Sequence, residues 1–445
     1  MKKQLISVFL ILIFTLLWAL PVCAASTGEA IKSNEVPEIK NIGSACVYNV
    51  ENKRYIYNLE SDKTIYPVST VKLMTAILTV EKYGADLDHE ISVQTAALID
   101  ENGKRYPGNR IYLRYGEVLT VEQLLYAVVC GGANDAANVL AVDIGGSING
   151  FVQMMNKKAQ DIGARNTHYT NPTGYHDDAM VTTAKDIAII ASYAYGLSPI
   201  CEMATIDKYV IPEVEGKCDQ HTIDNKNYYF SSTVEYKYMW RIAPTPRGLS
   251  SGMTNQGGYS LVTTMAKDGL TYIVVVMEGT RDEDTIYCYT EAAKLAKWAI
   301  NAYDYTKVLT TADMICEIPV RLSSKVDYVT LFPSENVELY LPTDIDLEND
   351  LNMTWELTDH YLNAPIAEGH VAGTLTLSYD GVHLGTYDLV TRNSVNRNNF
   401  LYILDLAGDA IRSRPFKIIA AAVVISGIGY FGALVYTTLK TKKKS

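Results

Sequence analysis

The rhythm of apolar and polar positions changes three times along the chain. Across residues 44–59, Ala-Cys-Val-Tyr-Asn-Val, a polar Glu-Asn-Lys and then Arg-Tyr-Ile-Tyr predict a β-hairpin, because aromatic and β-branched residues flank a polar turn. Helical spacing follows. Pro67 leads into a helix over 69–78, Thr120 and Gln123 form a capping box ahead of 121–129, and Phe151, Met154, Met155 and Ala159 share one face of a helix ending at Gly163. Strand character returns after Gly248, where 259–265 and 270–277 are separated by Ala-Lys-Asp-Gly, and a helix over 290–302 closes the region. Beyond Val308, short β-type runs at 317–322, 327–331, 337–340, 373–378 and 385–390 predict a small all-β domain. It carries no cluster of Ser, His, Lys and acid, so it reads as a spacer or docking module.

Both ends are apolar, with different meanings. Residues 1–25 read as a signal peptide, with Lys2 and Lys3 at the charged start, an uncharged stretch to Leu20, and Val22-Cys23-Ala24 at the cleavage region. An uncleaved anchor is the alternative, although the stretch is shorter than the roughly 20 residues a span needs. Residues 418–439 are 22 residues without a charge, bounded by Lys417 and by Lys440, Lys442, Lys443 and Lys444, and they predict a transmembrane helix. The expected organisation is a signal peptide (1–24), a first domain (26–305), a β-rich domain (306–408), one membrane span (418–439) and a cytoplasmic tail (440–445). The protein should then sit in the cell membrane by a single pass, with its first domain extracytoplasmic.

Composition removes other classes. The net charge of -11 over 445 residues argues against nucleic acid as a partner, since phosphate recognition needs a clustered basic surface. Seven cysteines without a Cys-x-x-Cys pair indicate neither a zinc ribbon nor a redox motif, and no metal or cofactor is expected. Export permits disulfides, with Cys201 and Cys218 the nearest pair, but does not require one.

Chemistry concentrates at Ser69-Thr70-Val71-Lys72. At the start of a helix this spacing puts a hydroxyl and an amine one turn apart on the same face, and a desolvated lysine can take a serine's proton. The context is more specific than the pair alone. Pro67-Val68 precede it and Leu73-Met74-Thr75-Ala76 follow. A second block reads Asn166-Thr167-His168-Tyr169-Thr170-Asn171-Pro172-Thr173-Gly174, then Asp177 and Thr183-Ala184-Lys185-Asp186. Together these resemble the penicillin-binding D-alanyl-D-alanine carboxypeptidases, the low-molecular-mass serine-type SxxK family. The tail resembles that family's C-terminal domain at Ala364-Pro365-Ile366, Val371-Ala372-Gly373-Thr374-Leu375 and Asp388-Leu389-Val390.

The resemblance implies an α/β (α+β) fold of the β-lactamase/transpeptidase type, an antiparallel sheet and a helical lobe with the cleft between them. It implies removal of the terminal D-alanine from peptidoglycan stem pentapeptides through an acyl-enzyme on Ser69, with β-lactams as covalent inhibitors. Lys72 would act as base, Asn134 would complete the catalytic set, and the N–H groups of Ser69 and Met253 would face the oxyanion. Gly132, Ser250, Ser251, Gly252, Met253 and Thr254 would line the substrate site.

Two positions depart from the family pattern. Gly132 stands where the Ser-x-Asn motif has its serine, and Ser250 where Lys-Thr-Gly has its lysine. The family's serine hydroxyl lies between two lysines and helps pass a proton to the leaving amine, so the relay is lost as a unit. The charge that would receive the substrate's terminal carboxylate is lost with it. Arg247 could supply that charge, but three residues from Ser250 on a regular strand it points to the other face unless a bulge intervenes. These departures keep open a catalytically impaired relative that binds peptidoglycan or envelope partners. A β-lactamase would need a placed glutamate to activate water, and none is found. His168 and His176 read as structural histidines, and Asp177 and Asp186 as residues that fix loops.

Overall fold

A computed structural model of the chain describes residues 36–442 apart from 85, 232–246 and 380; the signal-peptide expectation lies outside the described residues. The chain forms two compact units. Of the described residues, one unit holds those up to Asp304 together with Tyr340–Ile345, and the other holds Tyr305–Leu339 and those from Asp346 onward.

The first unit is built on a five-stranded antiparallel sheet. Its hairpin is β1 (Ser44–Asn49) and β2 (Arg54–Leu59), and its later strands are β3 (Arg247–Thr254), β4 (Gly258–Lys267) and β5 (Leu270–Gly279). The order is β2-β1-β5-β4-β3, so β3 is an edge strand. Between β4 and β5 the strands extend beyond the predicted runs, leaving only Asp268 and Gly269 in the turn. Both have positive φ, +52° and +82°, the geometry that suits a two-residue hairpin.

The two faces of the sheet are covered differently. The closing helix (Tyr287–Ala302) packs on one face against Ala45, Val47, Leu261, Val274 and Val276, while Cys46, Val262, Ile273 and Val275 face the helical lobe. At the centre of that lobe lies α1 (Val71–Tyr83), in which every residue from Val71 to Val80 is buried. A helix apolar nearly all round belongs inside a domain rather than on its surface. Met74 and Ile77 are fully buried, and each such side chain stabilises the fold by about 1.5–3 kcal/mol.

Around α1 lie α2 (Val121–Val129), α3 (Asn134–Gly145), α4 (Ile148–Asp161), α5 (Ala184–Tyr195) and α6 (Ser198–Thr205). The capping box of α2 forms as expected: Gln123 N–H donates to Thr120 Oγ1 at 3.2 Å and Thr120 N–H donates to Gln123 Oε1 at 2.9 Å. On α4 the apolar stripe is narrower than predicted. Phe151, Met155 and Ala159 are fully buried, but Met154 is exposed, because the contact face follows the i, i+4, i+8 positions.

The second unit carries a six-stranded sheet in the spatial order Leu351–Leu357, Val371–Tyr379, Val382–Thr391, Tyr328–Pro333, Cys316–Arg321 and Leu362–Asn363. The strand Leu351–Leu357 does not stand out in sequence, because its side chains from Asn352 to Glu356 are all exposed and leave no apolar face. The unit ends in two helices, Asn399–Arg412 and Arg414–Lys442. Within Arg414–Tyr436 the last one holds an 18-residue window with a mean hydropathy of 2.3, none of which is buried. It is the one unbroken helix among the described residues long and apolar enough to cross a membrane.

Candidate active site

Ser69 does not sit in an α-helix. It occupies a one-turn 3-10 segment, Val68–Thr70, and the α-helix begins at Val71. The cause is local: Pro67 O accepts from both Thr70 N–H, at 3.1 Å, and Thr70 Oγ1, at 2.6 Å, and this tightens the turn. Val68 adopts φ +53°, a left-handed conformation that a β-branched residue avoids unless its surroundings impose it. Gly174 presses on that point, since a Cβ there would lie 2.0 Å from Val68 O. The loop holding Gly174 is fixed by Asn171, whose Oδ1 accepts from Thr173 N–H at 3.1 Å, Thr173 Oγ1 at 2.8 Å and Gly174 N–H at 2.9 Å. The Asn-Pro-Thr-Gly block therefore braces the turn that holds Ser69.

The same loop holds Lys72. Lys72 is buried because α1 is the central helix, and its Nζ donates to Thr173 O at 2.5 Å. Burial strips water from the ammonium and lowers its pKa to about 7, with the nearby Asp135 carboxylate keeping it from falling further. A substantial fraction of Lys72 is thus neutral near pH 7. Asp135 is held in turn by the backbone N–H groups of Ile111 and Leu113, at 3.2 and 3.1 Å.

The edge strand β3 forms the opposite wall. Ser250 Oγ donates to Ser69 O at 3.3 Å, and Ser251 Oγ donates to Lys226 O at 3.1 Å. Gly252 lies so close to Ser69 that a Cβ there would be 2.2 Å from its Oγ. Between Gly248 and Ser250 the strand has the bulge on which a role for Arg247 depends. Arg247 pairs with Thr264 and Ser250 with Val262, two residues apart, so both face the helical-lobe side. Arg247 nonetheless lies outside the lining of the pocket. Its charge acts on Cys201 of α6, partly offsetting the burial that pushes that thiol up to about 11.

Ser69, Lys72, Gly132, Ser250 and Ser251 line a single pocket, together with Lys226, Cys130 and the apolar Leu73, Val128 and Leu249. The remaining predicted site residues stand around it. Asn134 is buried at the start of α3, and its Nδ2 donates to Pro107 O at 3.0 Å rather than pointing into the pocket. Met253 is half exposed. Thr254 Oγ1 accepts from Gly257 N–H at 2.9 Å and borders a neighbouring recess with Val68, Gly174 and His176. Gly132 has φ +60°.

Lys226 is the pocket residue that sequence reasoning missed. Its only local signal is a cation between two amides, Asn225-Lys226-Asn227, in a stretch without a familiar pattern. The residues read as structural behave so. Asp186 Oδ2 accepts from Asn166 N–H at 2.6 Å and Thr167 Oγ1 at 2.8 Å, Asp177 Oδ1 accepts from Ala179 N–H at 2.9 Å, and His176 packs edge-on to Tyr66. The six described cysteines are free, so Cys201 and Cys218 are not bonded. Among the described residues no cluster of His, Cys, Asp and Glu is arranged to hold a metal.

Comparison with known proteins agrees with this geometry. Residues 30–281 match the family described as D-alanyl-D-alanine carboxypeptidase, and residues 303–397 match the C-terminal domain of penicillin-binding protein 5. Among curated relatives, D-alanyl-D-alanine carboxypeptidase DacF of Bacillus subtilis is 25% identical over 315 residues, covering 71% of this chain and 76% of that one. DacA of Escherichia coli is 23% identical, covering 65% and 67%. In fold, the chain is similar to the D-alanyl-D-alanine carboxypeptidase DacD from Francisella tularensis, with a TM-score of 0.61, 20% identity, and coverage of 83% and 97%. Penicillin-binding protein 5 from Haemophilus influenzae follows at 0.57 and 23%, covering 81% and 99%.

Proposed function

The chain belongs to the D-alanyl-D-alanine carboxypeptidase family, and on that premise we propose that Ser69 is its nucleophile and Lys72 the base that activates it. The protein is a serine hydrolase acting as a D-alanyl-D-alanine carboxypeptidase. Its substrate is a peptidoglycan stem peptide ending in D-Ala-D-Ala. The observation that carries the residue assignment is the buried Lys72 amine, its pKa lowered to about 7, in one pocket with Ser69.

Neutral Lys72 accepts the Ser69 proton as Oγ attacks the carbonyl carbon of the penultimate D-alanine. The developing oxyanion is received by the backbone N–H groups of Ser69 and Met253. Collapse breaks the C–N bond, and the terminal D-alanine leaves as an amine with the proton returned by Lys72. Water then hydrolyses the ester and frees Ser69. Ser250 and Ser251 offer hydroxyls to the peptide backbone, and Gly252 keeps the wall clear of the reacting oxygen. A β-lactam enters the same path and stays on Ser69 as a ring-opened ester.

The non-catalytic alternative is not favoured by the family membership. The two motif departures bear instead on speed, because Gly132 has no side chain to pass a proton to the leaving amine and Ser250 puts a neutral hydroxyl where the motif has a charged amine. The apolar helix Arg414–Tyr436, with lysines after it, supports a single membrane pass with the catalytic unit outside the cytoplasm. The β-rich region serves as spacer or docking module.

The test is release of D-alanine from a stem pentapeptide by the full-length protein in detergent, beside Ser69→Ala. Release by the wild type and none by the variant is the expected outcome. Equal release by both would assign the reaction to another nucleophile.

A further inference from the structure

The first unit has a second cavity, a groove of about 1020 Å³ that shares no lining residue with the Ser69 pocket. Three pieces of chain line it: the β1–β2 turn with Lys53, the segment after α4 with Arg165, and α5 with Lys185. Part of the lining is aromatic. Tyr48 and Tyr55, both nearly buried, have ring centroids 4.9 Å apart, and the Lys185 ammonium stands 5.6 Å from the Tyr55 centroid.

The acids of this lining are committed within the protein. Asp62 pairs with Lys185 Nζ at 2.6 Å, and the buried Asp186 accepts from Asn166 N–H at 2.6 Å and Thr167 Oγ1 at 2.8 Å. Two cations are left over. Lys53 and Arg165 are exposed, and neither makes an ion pair with another described residue. In a chain of net charge -11, a groove with two surplus cations and no surplus acid attracts an anion.

Both cations stand on anchored backbone. Asn49 Oδ1 accepts from Asn52 N–H at 2.8 Å and Asn52 Nδ2 at 3.0 Å, which ties down the turn just ahead of Lys53. Arg165 N–H donates to Gly163 O at 3.0 Å, and the next residue is held by Asp186. The lining also includes Ile162, Ile189 and Leu197, each half-buried. Cations combined with apolar surface in one concave site suit carboxylates borne on a carbon-rich chain. A small lone anion would leave the apolar lining unused.

We propose that this groove is an accessory binding site for peptidoglycan, taking a carboxylate-bearing stretch of the polymer other than the stem being cut, with Lys53 and Arg165 as its anion-binding residues. This rests on the carboxypeptidase reading and deepens it, since the preferred substrate becomes the polymer rather than a free peptide. Stem peptides place free carboxylates repeatedly along a glycan strand. A strand engaged at Ser69 therefore brings further anions to the protein surface. Holding one of them in the groove raises the effective concentration of stems at Ser69 without any new contact to the reacting carbonyl. The groove lowers KM on polymer and leaves a short peptide unaffected.

The experiment uses the full-length protein in detergent as wild type, as the double variant Lys53→Gln with Arg165→Gln, and as Lys208→Gln, an exposed cation outside the groove. Two readouts are taken. Co-sedimentation with insoluble peptidoglycan, acid-stripped of phosphate polymers, is measured in a Ser69→Ala background so that binding is read without turnover. D-alanine release is measured on pentapeptide-rich insoluble peptidoglycan and on a soluble diacetylated Lys-D-Ala-D-Ala peptide. The double variant should lose on the order of tenfold in affinity for the polymer and in kcat/KM on it, with the soluble peptide unchanged. Lys208→Gln should match wild type, and added salt should weaken wild-type binding. Undiminished binding by the double variant would overturn the proposal. So would an equal fall on polymer and soluble peptide, an equal loss in Lys208→Gln, or binding only to peptidoglycan that keeps its phosphate polymers. A folded wild type that releases no D-alanine from the soluble peptide would sink the carboxypeptidase reading, and the co-sedimentation result would then decide the groove by itself.

Discussion

A Cβ atom on Gly252 would lie 2.2 Å from Ser69 Oγ, so the edge strand and the Ser69 turn meet at a distance only glycine permits. Gly252→Ala must push either the hydroxyl or the strand aside. A displacement near 1 Å of a reacting atom costs about a hundredfold in rate. The variant should therefore fold, by circular dichroism, and acylate with penicillin about a hundredfold more slowly. Wild-type acylation would mean the strand yields freely.

The pH dependence follows from Lys72. Only the neutral amine can take the Ser69 proton, and with a pKa of about 7 that form grows as pH rises through neutrality. The acylation rate should climb with pH to a plateau, with its midpoint near 7. A flat profile between pH 6 and 9 would remove Lys72 as the base.

Stability should move in the same sense. The unfolded chain holds the lysine proton to about pH 10.4, whereas the folded chain releases it near 7, so stability rises with pH between those values. Below pH 7 the folded state must keep a buried charge. Lys72→Met should accordingly melt higher than wild type at pH 6, with the advantage shrinking toward pH 10. A melting difference that grew with pH would contradict this.

How much of this was legible in sequence depends on where the cause lies. The Thr120–Gln123 capping box and the 44–59 hairpin are local features, and both form. The helix start at Ser69 differs because Pro67 O captures Thr70 and leaves Ser69 in a 3-10 turn. The burial of Lys72 is a tertiary fact, set by the helices around α1. The bulge that turns Arg247 and Ser250 to one side has no marker except Gly248. Lys226 is brought to Ser69 by bonds to Cys130 and Ser251, which no spacing rule anticipates.

Restoring the two missing groups tests their linkage. A Cβ fits at Gly132, where the nearest atoms are 3.7 and 3.9 Å away, but φ +60° makes any L-residue there cost about 1 kcal/mol. Gly132→Ser should lower stability by roughly that amount without blocking the fold. Combined with Ser250→Lys it should raise turnover by more than the product of the two single effects, since a proton relay acts as a unit. A simple product of the single effects would argue that no relay was rebuilt.

Deleting the chain from Arg414 onward removes the apolar stretch Arg414–Tyr436. The truncated protein should pass from the membrane to the soluble fraction on ultracentrifugation. Retention in the membrane pellet, in protein shown not to aggregate, would require a second attachment.

The central claim is that Ser69 and Lys72 form a working nucleophile and base despite Gly132 and Ser250. Intact mass of the full-length protein before and after penicillin tests it directly, because ring opening adds the whole inhibitor to the serine. The account predicts a gain of one penicillin mass in the wild type and none in Ser69→Ala. No adduct on folded wild type at high penicillin, or an adduct that persists in Ser69→Ala, would contradict it.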